Sequence, residues 1–441
     1  EVEEAIDLTA GGFDAADSFG RPSLSRTQSR ASAGKTVIRF AHDDPAYPGN
    51  WSHRKKFIVV FISCLTVVNS TTTSGLAAGA SDVLAAYFHV SNELELVLPT
   101  ALYLVGYTFG PLVFGPLSEQ YGRRNISMVA FTLFTIFQMA CALAPNWAAL
   151  NIFRLLIGIA GASPIAVVGG ICADVYRTPE ARGRAMAIFM ASTTFGPLLG
   201  PIISGYMSVY SWRWSFWVGL IIAGVTWVPL AFIPESYEPV LLLRKAKRLR
   251  KETGDMNIVA PRELEDFTIS DIVTKVIARP LKMIVTEPLV AFSCLYLSFV
   301  YALFYIFFQA YPIIYKGTYG FTNGEEGLAF LPIGIGACIA CAIYLAYDAI
   351  LRRAKAAGAP WSRSEEFRRL PLACFGGPFV VLSLFWAGWT ARPDIHWIVP
   401  VLSGITFGRH GCRVYLTKSL RRCSAFCREA DVPEPWDSMG V

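Results

Sequence analysis

Gly115-Pro-Leu-Ser-Glu-Gln-Tyr-Gly-Arg-Arg124 is a short polar break between two long apolar runs. The runs cover about residues 96–117 and about 126–145, and some 20 apolar helical residues span a hydrocarbon core about 30 Å thick. The break therefore reads as the turn between two membrane-spanning helices. Gly115 lets a neighbouring helix approach closely, and Gly122 admits a tight turn. Glu119 and Arg123 are placed to form charge-assisted hydrogen bonds across helix ends, with Arg124 beside them.

The same pattern extends in both directions. Further apolar segments fall at about 57–78, 148–172, 185–208 and 213–234, then at about 288–312, 325–348 and 370–390, and a tenth begins near 395. Hydrophobic residues make up 54% of the 441 and charged residues 16%, against roughly 25% charged in soluble domains. That excess of apolar surface calls for lipid. The formal net charge of +6 does not point to nucleic acid, because the Lys and Arg residues sit in alternate short loops. Arg177, Arg182 and Arg184 follow the fourth segment; Arg244, Lys245, Lys247, Arg248, Arg250 and Lys251 follow the sixth; Arg352, Arg353 and Lys355 follow the eighth. The intervening loops are poor in both, so the basic loops and the N-terminal tail are expected in the cytoplasm.

Five units follow: a disordered tail (1–53), a six-helix bundle (54–236), a basic linker (237–283), a second, incomplete bundle (284–408) and a tail (409–441). The stretch Arg21 to Ser32 looks accessible to basophilic kinases, or is simply a solvated linker. Arg244 to Lys251 reads equally as an amphipathic helix on anionic lipid or as a charged linker. No cleavable signal peptide is visible, so the first apolar helix is expected to act as signal-anchor; the chain begins at Glu1, not Met. Cys64, Cys141, Cys172, Cys294 and Cys374 sit singly in apolar segments as small hydrophobes. Cys338 and Cys341 share one apolar helix with no second ligand pair, so no metal or redox centre is expected. No P-loop and no nucleotide-binding cassette are present, so neither an enzyme nor a cofactor is expected.

Three more motifs accompany the first. Arg154-Leu-Leu-Ile-Gly-Ile-Ala-Gly161 carries a charge that is costly in lipid and must face protein or a wet cavity; helix-end carbonyls, Asn69 or a substrate could supply its acceptors. Phe195-Gly-Pro-Leu-Leu-Gly-Pro-Ile-Ile-Ser-Gly205 places Gly196 and Gly200 for close packing, and Pro197 and Pro201 favour a bend. Pro234-Glu-Ser-Tyr-Glu-Pro-Val-Leu-Leu242 ends the sixth segment. Together with Pro48-Gly-Asn-Trp-Ser52 and Phe307-Phe-Gln-Ala-Tyr-Pro312, these resemble, in order and placement, the motifs of the major facilitator superfamily. Among its members they are most similar to fungal twelve-span drug:proton antiporters of the multidrug or polyamine-exporting kind. In the first motif Glu119 stands where Asp is usual and Gln120 where Arg is usual.

The resemblance implies an all-α fold of two helical bundles with a substrate cavity between them, working by alternating access. It implies that Gly115, Glu119, Gly122, Arg123, Arg124, Arg154, Gly196, Pro197 and Gly200 couple or gate. Asn69, Tyr103, Tyr107, Tyr301, Tyr305, Phe308, Gln309 and Tyr311 become cavity candidates. Plainer readings stay open: proline turns as helix stops, glycines as packing, Arg154 as a structural buried charge, and aromatic residues facing lipid. Partners would be a small amphipathic or cationic molecule, the bilayer and protons, with the chain a monomer at the plasma membrane. Many relatives have an acid at Gln309, so an uncoupled facilitator is an alternative. After Gly408 the chain becomes basic and Cys-rich, which reads as a shifted frame with the last two helices missing; a non-transporting membrane protein is the third reading.

Overall fold

The computed structural model describes residues 35–264, 279–358 and 370–408. The kinase-accessible stretch and the tail from residue 409 lie outside them. Among the described residues eight helical segments are long and apolar enough to cross a membrane, and two shorter apolar helices follow.

The first half holds six spans. Helix α1 (His53–Gly75) stops at a short break, passes through a 3-10 turn (Ala78–Ala80) and resumes as α2 (Ser81–Phe88). Then come α3 (Leu98–Tyr121), α4 (Arg123–Ala142), α5 (Trp147–Gly161) running into α6 (Ser163–Val175), α7 (Pro179–Met207) and α8 (Trp212–Ala231). Side-chain oxygens of Ser52, Asn146, Thr178 and Ser211 cap α1, α5, α7 and α8, satisfying N–H groups that a helix cannot pair internally. Helix α7 continues through both Pro197 and Pro201.

Two pairings hold this half together. Helix α3 packs along α5, and α1 along α7. A Cβ on Gly158 would collide with the Tyr103 carbonyl, and one on Gly196 with the Thr71 hydroxyl, so backbones touch where a side chain would keep them apart. Helix α1 buries the polar run Asn69 to Ser74. Three of its hydroxyls turn back on their own helix: Thr71 donates to Val67 O at 2.8 Å, Thr73 to Asn69 O at 3.1 Å and Ser74 to Thr71 O at 2.7 Å. Polar side chains are thereby tolerated without an external partner.

Linker helix α9 (Glu238–Thr253) leads out of the first half. It buries Val240, Leu242 and Ala246; Leu242 and Ala246 join a small core with Ile38, Ile258 and Ala260. Strand β1 (Thr36–Val37) pairs in parallel with β2 (Ile258–Val259), and Lys245 Nζ lies 2.7 Å from Asp44 Oδ2. Burial opposes ionisation of Asp44, but Lys245 and the Ala46 N–H outweigh it and hold the carboxyl below its ordinary range. Residues 36–52, read above as disordered tail, are therefore folded onto the linker. The apolar stripe of α9 meets protein, where the sequence suggested lipid or solvent. Six crossings return a chain to the side it left, and the β1–β2 pairing shows this directly.

The second half comprises α10 (Pro288–Tyr311), continued by a π-helical turn (Pro312–Thr318), then α11 (Asn323–Leu328), α12 (Leu331–Ala356), α13 (Leu370–Thr390) and α14 (Ile398–Gly408). Its core gathers Phe304, Phe307, Phe308, Tyr311, Phe330, Ile333 and Phe407. Helices α11 and α12 lie against α7 and join the halves.

Candidate functional site

Arg154 is fully buried at the centre of the first half. Its Nε donates to Pro99 O at 2.8 Å, Nη1 to Thr73 O at 2.9 Å and Nη2 to Ser74 O at 3.1 Å. Thr73 and Ser74 stand in the last turn of α1, whose carbonyls lose their i+4 partners because the helix stops at Gly75; Thr73 O keeps only a 3.4 Å bond from the Leu76 N–H. A cation is favoured there because the carbonyl end of a helix carries partial negative charge. The guanidinium also lies 4.8 Å from the Tyr103 ring centre and 5.9 Å from that of Phe216. Asn69, suggested as its acceptor, makes no bond to it; Asn69 Nδ2 is buried and unpartnered among the described residues.

Tyrosines surround this arginine. Tyr103 OH donates to Ser70 O at 2.7 Å, and its ring stacks on Tyr107 at 5.6 Å. Ser70 Oγ donates to Gly161 O and lies 3.4 Å from Tyr107 OH. From the second half, Tyr305 OH donates to Ser74 Oγ at 3.1 Å. One serine thus joins Arg154, through its carbonyl, to α10 of the other half, through its hydroxyl. Tyr301 stands one turn before Tyr305 and is 45% exposed. Phe308 and Tyr311 point away, into the second-half core, where both meet Phe330 at 5.0 Å and 4.5 Å. Gln309 is exposed, on the α10 face that carries Ile306 and that continues to Ile313 in the π-helical turn.

The break between α3 and α4 forms a second cluster. Gly122 has φ +96°, and a Cβ there would strike the Glu235 carboxylate, so glycine is required on both counts. Glu235 accepts from the backbone N–H groups of Arg123 at 2.9 Å, Arg124 at 3.3 Å, Ser236 at 3.0 Å and Tyr237 at 3.1 Å. It caps α4 from the far end of the sixth span. Arg123 is buried; Nη1 donates to Ser118 Oγ at 2.7 Å, Nε lies 3.4 Å from Asp174 Oδ2, and Nη2 lies 3.5 Å from Glu119. Arg124 Nη2 donates to Ala231 O at 2.9 Å. Glu119 is 58% exposed, so its pair with Arg123 is the weakest of these contacts. All partners belong to the first half. Gly115 meets nothing within 4 Å of a built Cβ; no described residue makes the close approach expected there.

The sequence gives Glu235 no role beyond its place in the Pro234–Leu242 motif, reads Asp174 as a solvated acid at a span end, and does not mark Ser74. An acid directly after a proline at the end of a span was a usable signal for Glu235. Ser74 had none, sitting in a run of six small polar residues.

Charged ties cross between the halves at both ends. At the end bearing the basic loops, Arg184 lies 3.4 Å from Asp348 and Lys355 lies 3.6 Å from Glu180. At the far end, Lys316 Nζ lies 2.8 Å from Asp82 and 2.9 Å from Glu326. Among the described residues no group of His, Cys, Asp and Glu could hold a metal ion.

Comparison with known proteins agrees with this geometry. The family described as Major Facilitator Superfamily matches residues 62–412. The MFS transporter prlG of a fungal species is 34% identical over 411 residues, covering 92% of this chain and 86% of its own. Efflux pump radE of Floropilus chiversii is 35% identical over 387 residues, covering 87% and 71%. Polyamine transporter 3 of Saccharomyces cerevisiae is 35% identical over 377 residues, covering 84% and 59%. Among solved structures, the xylose transporter XylE from E. coli in a partially occluded inward-open conformation superposes with TM-score 0.58 at 18% identity, over 85% of each chain; that likeness concerns the fold.

Proposed function

From the premise that the chain belongs to the Major Facilitator Superfamily, and is therefore a multi-pass membrane transporter and not an enzyme, we propose that it exports small amphipathic molecules by alternating access, driven by a proton gradient. The observation that carries this is the Arg154–Ser74–Tyr305 connection. A buried charge in one half is hydrogen-bonded to a residue that touches the other half, so rocking the halves must change the surroundings of the charge. Any ligand entering between Tyr107, Tyr301 and Tyr305 displaces or reshapes the same contact. The efflux pump of Floropilus chiversii, similar over most of this chain, supports export.

We place the basic loops, and the N-terminal segment folded against them, in the cytoplasm. The membrane would be the plasma membrane and the working unit a monomer. Flux of a fluorescent amphipathic dye in proteoliposomes, with and without an imposed pH gradient, tests the proposal. Dye movement that follows the gradient is expected. Equal flux without a gradient would favour an uncoupled facilitator, the reading to which an amide at Gln309 leans. No flux above protein-free vesicles would remove the transport proposal.

A further inference from the structure

Among the described residues the central cluster holds one full charge with nothing of opposite sign nearby. Three carbonyls and two rings surround Arg154, and the ionisable groups acting on it are Cys141, Tyr103 and Tyr305. Helices α1, α5 and α10 contain no Asp or Glu. The one acid on α3 is Glu119, twelve residues beyond Tyr107, or about 18 Å along the helix. Carbonyl dipoles at the end of α1 offset about half a charge, and a net positive field remains. In a poorly polarisable interior such a field reaches further than the hydrogen bonds that support it.

Beside this charge lies aromatic surface that is not sealed. Tyr301 keeps 45% of its surface open and Tyr107 and Tyr305 are half-buried. The hydroxyls of Tyr305 and Tyr107 nonetheless reach inward, to Ser74 Oγ at 3.1 Å and to Ser70 Oγ at 3.4 Å. Their open faces mark out a space between α3 and α10, the helices that carry them. It offers rings for stacking, hydroxyls for hydrogen bonds and no carboxylate to receive an amine.

We propose that this space takes neutral or anionic aromatic molecules and rejects polycations, the Arg154 charge being the discriminator. The proposal deepens the transport reading and rests on it for the word substrate. Aromatic walls alone would also suit cations. Ring attraction is short-ranged, however, and the Tyr103 face is already taken up by Arg154. Repulsion grows with each charge on the ligand, so a triamine suffers most. The yeast polyamine transporter is similar to this chain, but the described site has nothing that would pair with its ligand's amines.

Two xanthene dyes of similar shape and opposite charge provide the test: fluorescein as anion and rhodamine 6G as cation, with spermidine as competitor. Binding to the full chain in nanodiscs is read by fluorescence polarisation, with empty nanodiscs subtracted. Fluorescein should bind at least about tenfold more tightly than rhodamine 6G, and spermidine should displace neither. Tyr301→Glu adds a carboxylate at the most open of the three rings, and should reverse the order. Tighter rhodamine binding, displacement by spermidine, an unmoved order in Tyr301→Glu, or no binding of either dye would each overturn the proposal. Flux of the same dyes separates the two ideas. Binding in the expected order without flux sinks transport alone, whereas flux that prefers the cation sinks this proposal alone.

Discussion

At the scale of single residues, the structure turns on two buried charges satisfied by backbone. Arg154 spreads three N–H groups over three carbonyls that do not lie on one line. Lysine keeps the charge but has a compact ammonium without the planar fork. Arg154→Lys should therefore lose most transport and Arg154→Ala nearly all, with both reaching the membrane in normal amount. Normal flux in the alanine variant, read beside its surface expression, would end the coupling role; loss of folding in both would make the residue structural. Glu235 is the mirror case, a carboxylate accepting four backbone N–H groups. Glutamine turns an acceptor into a donor facing donors, which costs about 1–3 kcal/mol. Glu235→Gln should lower the melting temperature of the purified protein, and an unchanged melt would mean that the cap is dispensable. The sequence showed Arg154 clearly, as the lone formal charge in a long apolar run. Helix-end carbonyls, Asn69 or a substrate were its possible acceptors, and the carbonyls of Thr73 and Ser74 take the role. Which carbonyls these would be was not legible, because a helix break leaves no mark in side-chain pattern.

Whole helices were the most legible feature, because twenty apolar residues between charged turns have few alternatives in a membrane. Contacts between helices were less so. Gly115 and Gly196 stand in motifs of equal weight, yet their surroundings differ. A Cβ at Gly196 collides with the Thr71 hydroxyl, whereas one at Gly115 meets nothing among the described residues. Gly196→Val should therefore force α1 and α7 apart at a cost of about 1–3 kcal/mol, in the range of overpacked cores. Gly115→Val should leave the melting temperature near that of the parent. Thermal melts of the two purified variants check this, and equal losses would mean that α3 has a tight neighbour beyond the described residues. Residues 36–52 were harder still to read. Their order comes from a two-residue strand, one ion pair and a few apolar side chains that find α9 some 200 residues later in the chain, and no local periodicity announces such a partnership.

At the scale of the whole molecule, alternating access needs one end of the interface to hold while the other gives. The two ends are built differently. Near the basic loops the halves are tied by ion pairs of 3.4 Å and 3.6 Å, Arg184–Asp348 and Lys355–Glu180. At the far end backbone meets backbone: a Cβ on Gly205 would strike Asn323 O, and one on Gly327 would lie 2.7 Å from Pro201 O. Asn323 Nδ2 adds a 3.5 Å contact to Ser208, and Lys316 bridges Asp82 of the first half and Glu326 of the second. Lys316 is thus the charged tie at the far end, beside the glycine contacts. The Asp82 side chain is 63% exposed and that of Glu326 only 3%, so the pair with Asp82 is of the weak, screened kind. Loss of the lysine would leave the Glu326 carboxylate buried and uncompensated, a penalty of about 3–5 kcal/mol that opening relieves by admitting water. Lys316→Met should thus shift the molecule toward a state open at the far end. Adding Glu326→Gln should shift it back, since a neutral amide needs no counter-charge. Ser208 is 3% exposed and sits on this seam, so Ser208→Cys, in a background without reactive native cysteines, reports opening through an impermeant thiol reagent. Labelling should rise several-fold in Lys316→Met and fall again in the double variant. Labelling unchanged by Lys316→Met would show that the glycine contacts alone close this end, and labelling that stays high in the double variant would show that Asp82, not Glu326, is the partner that counts.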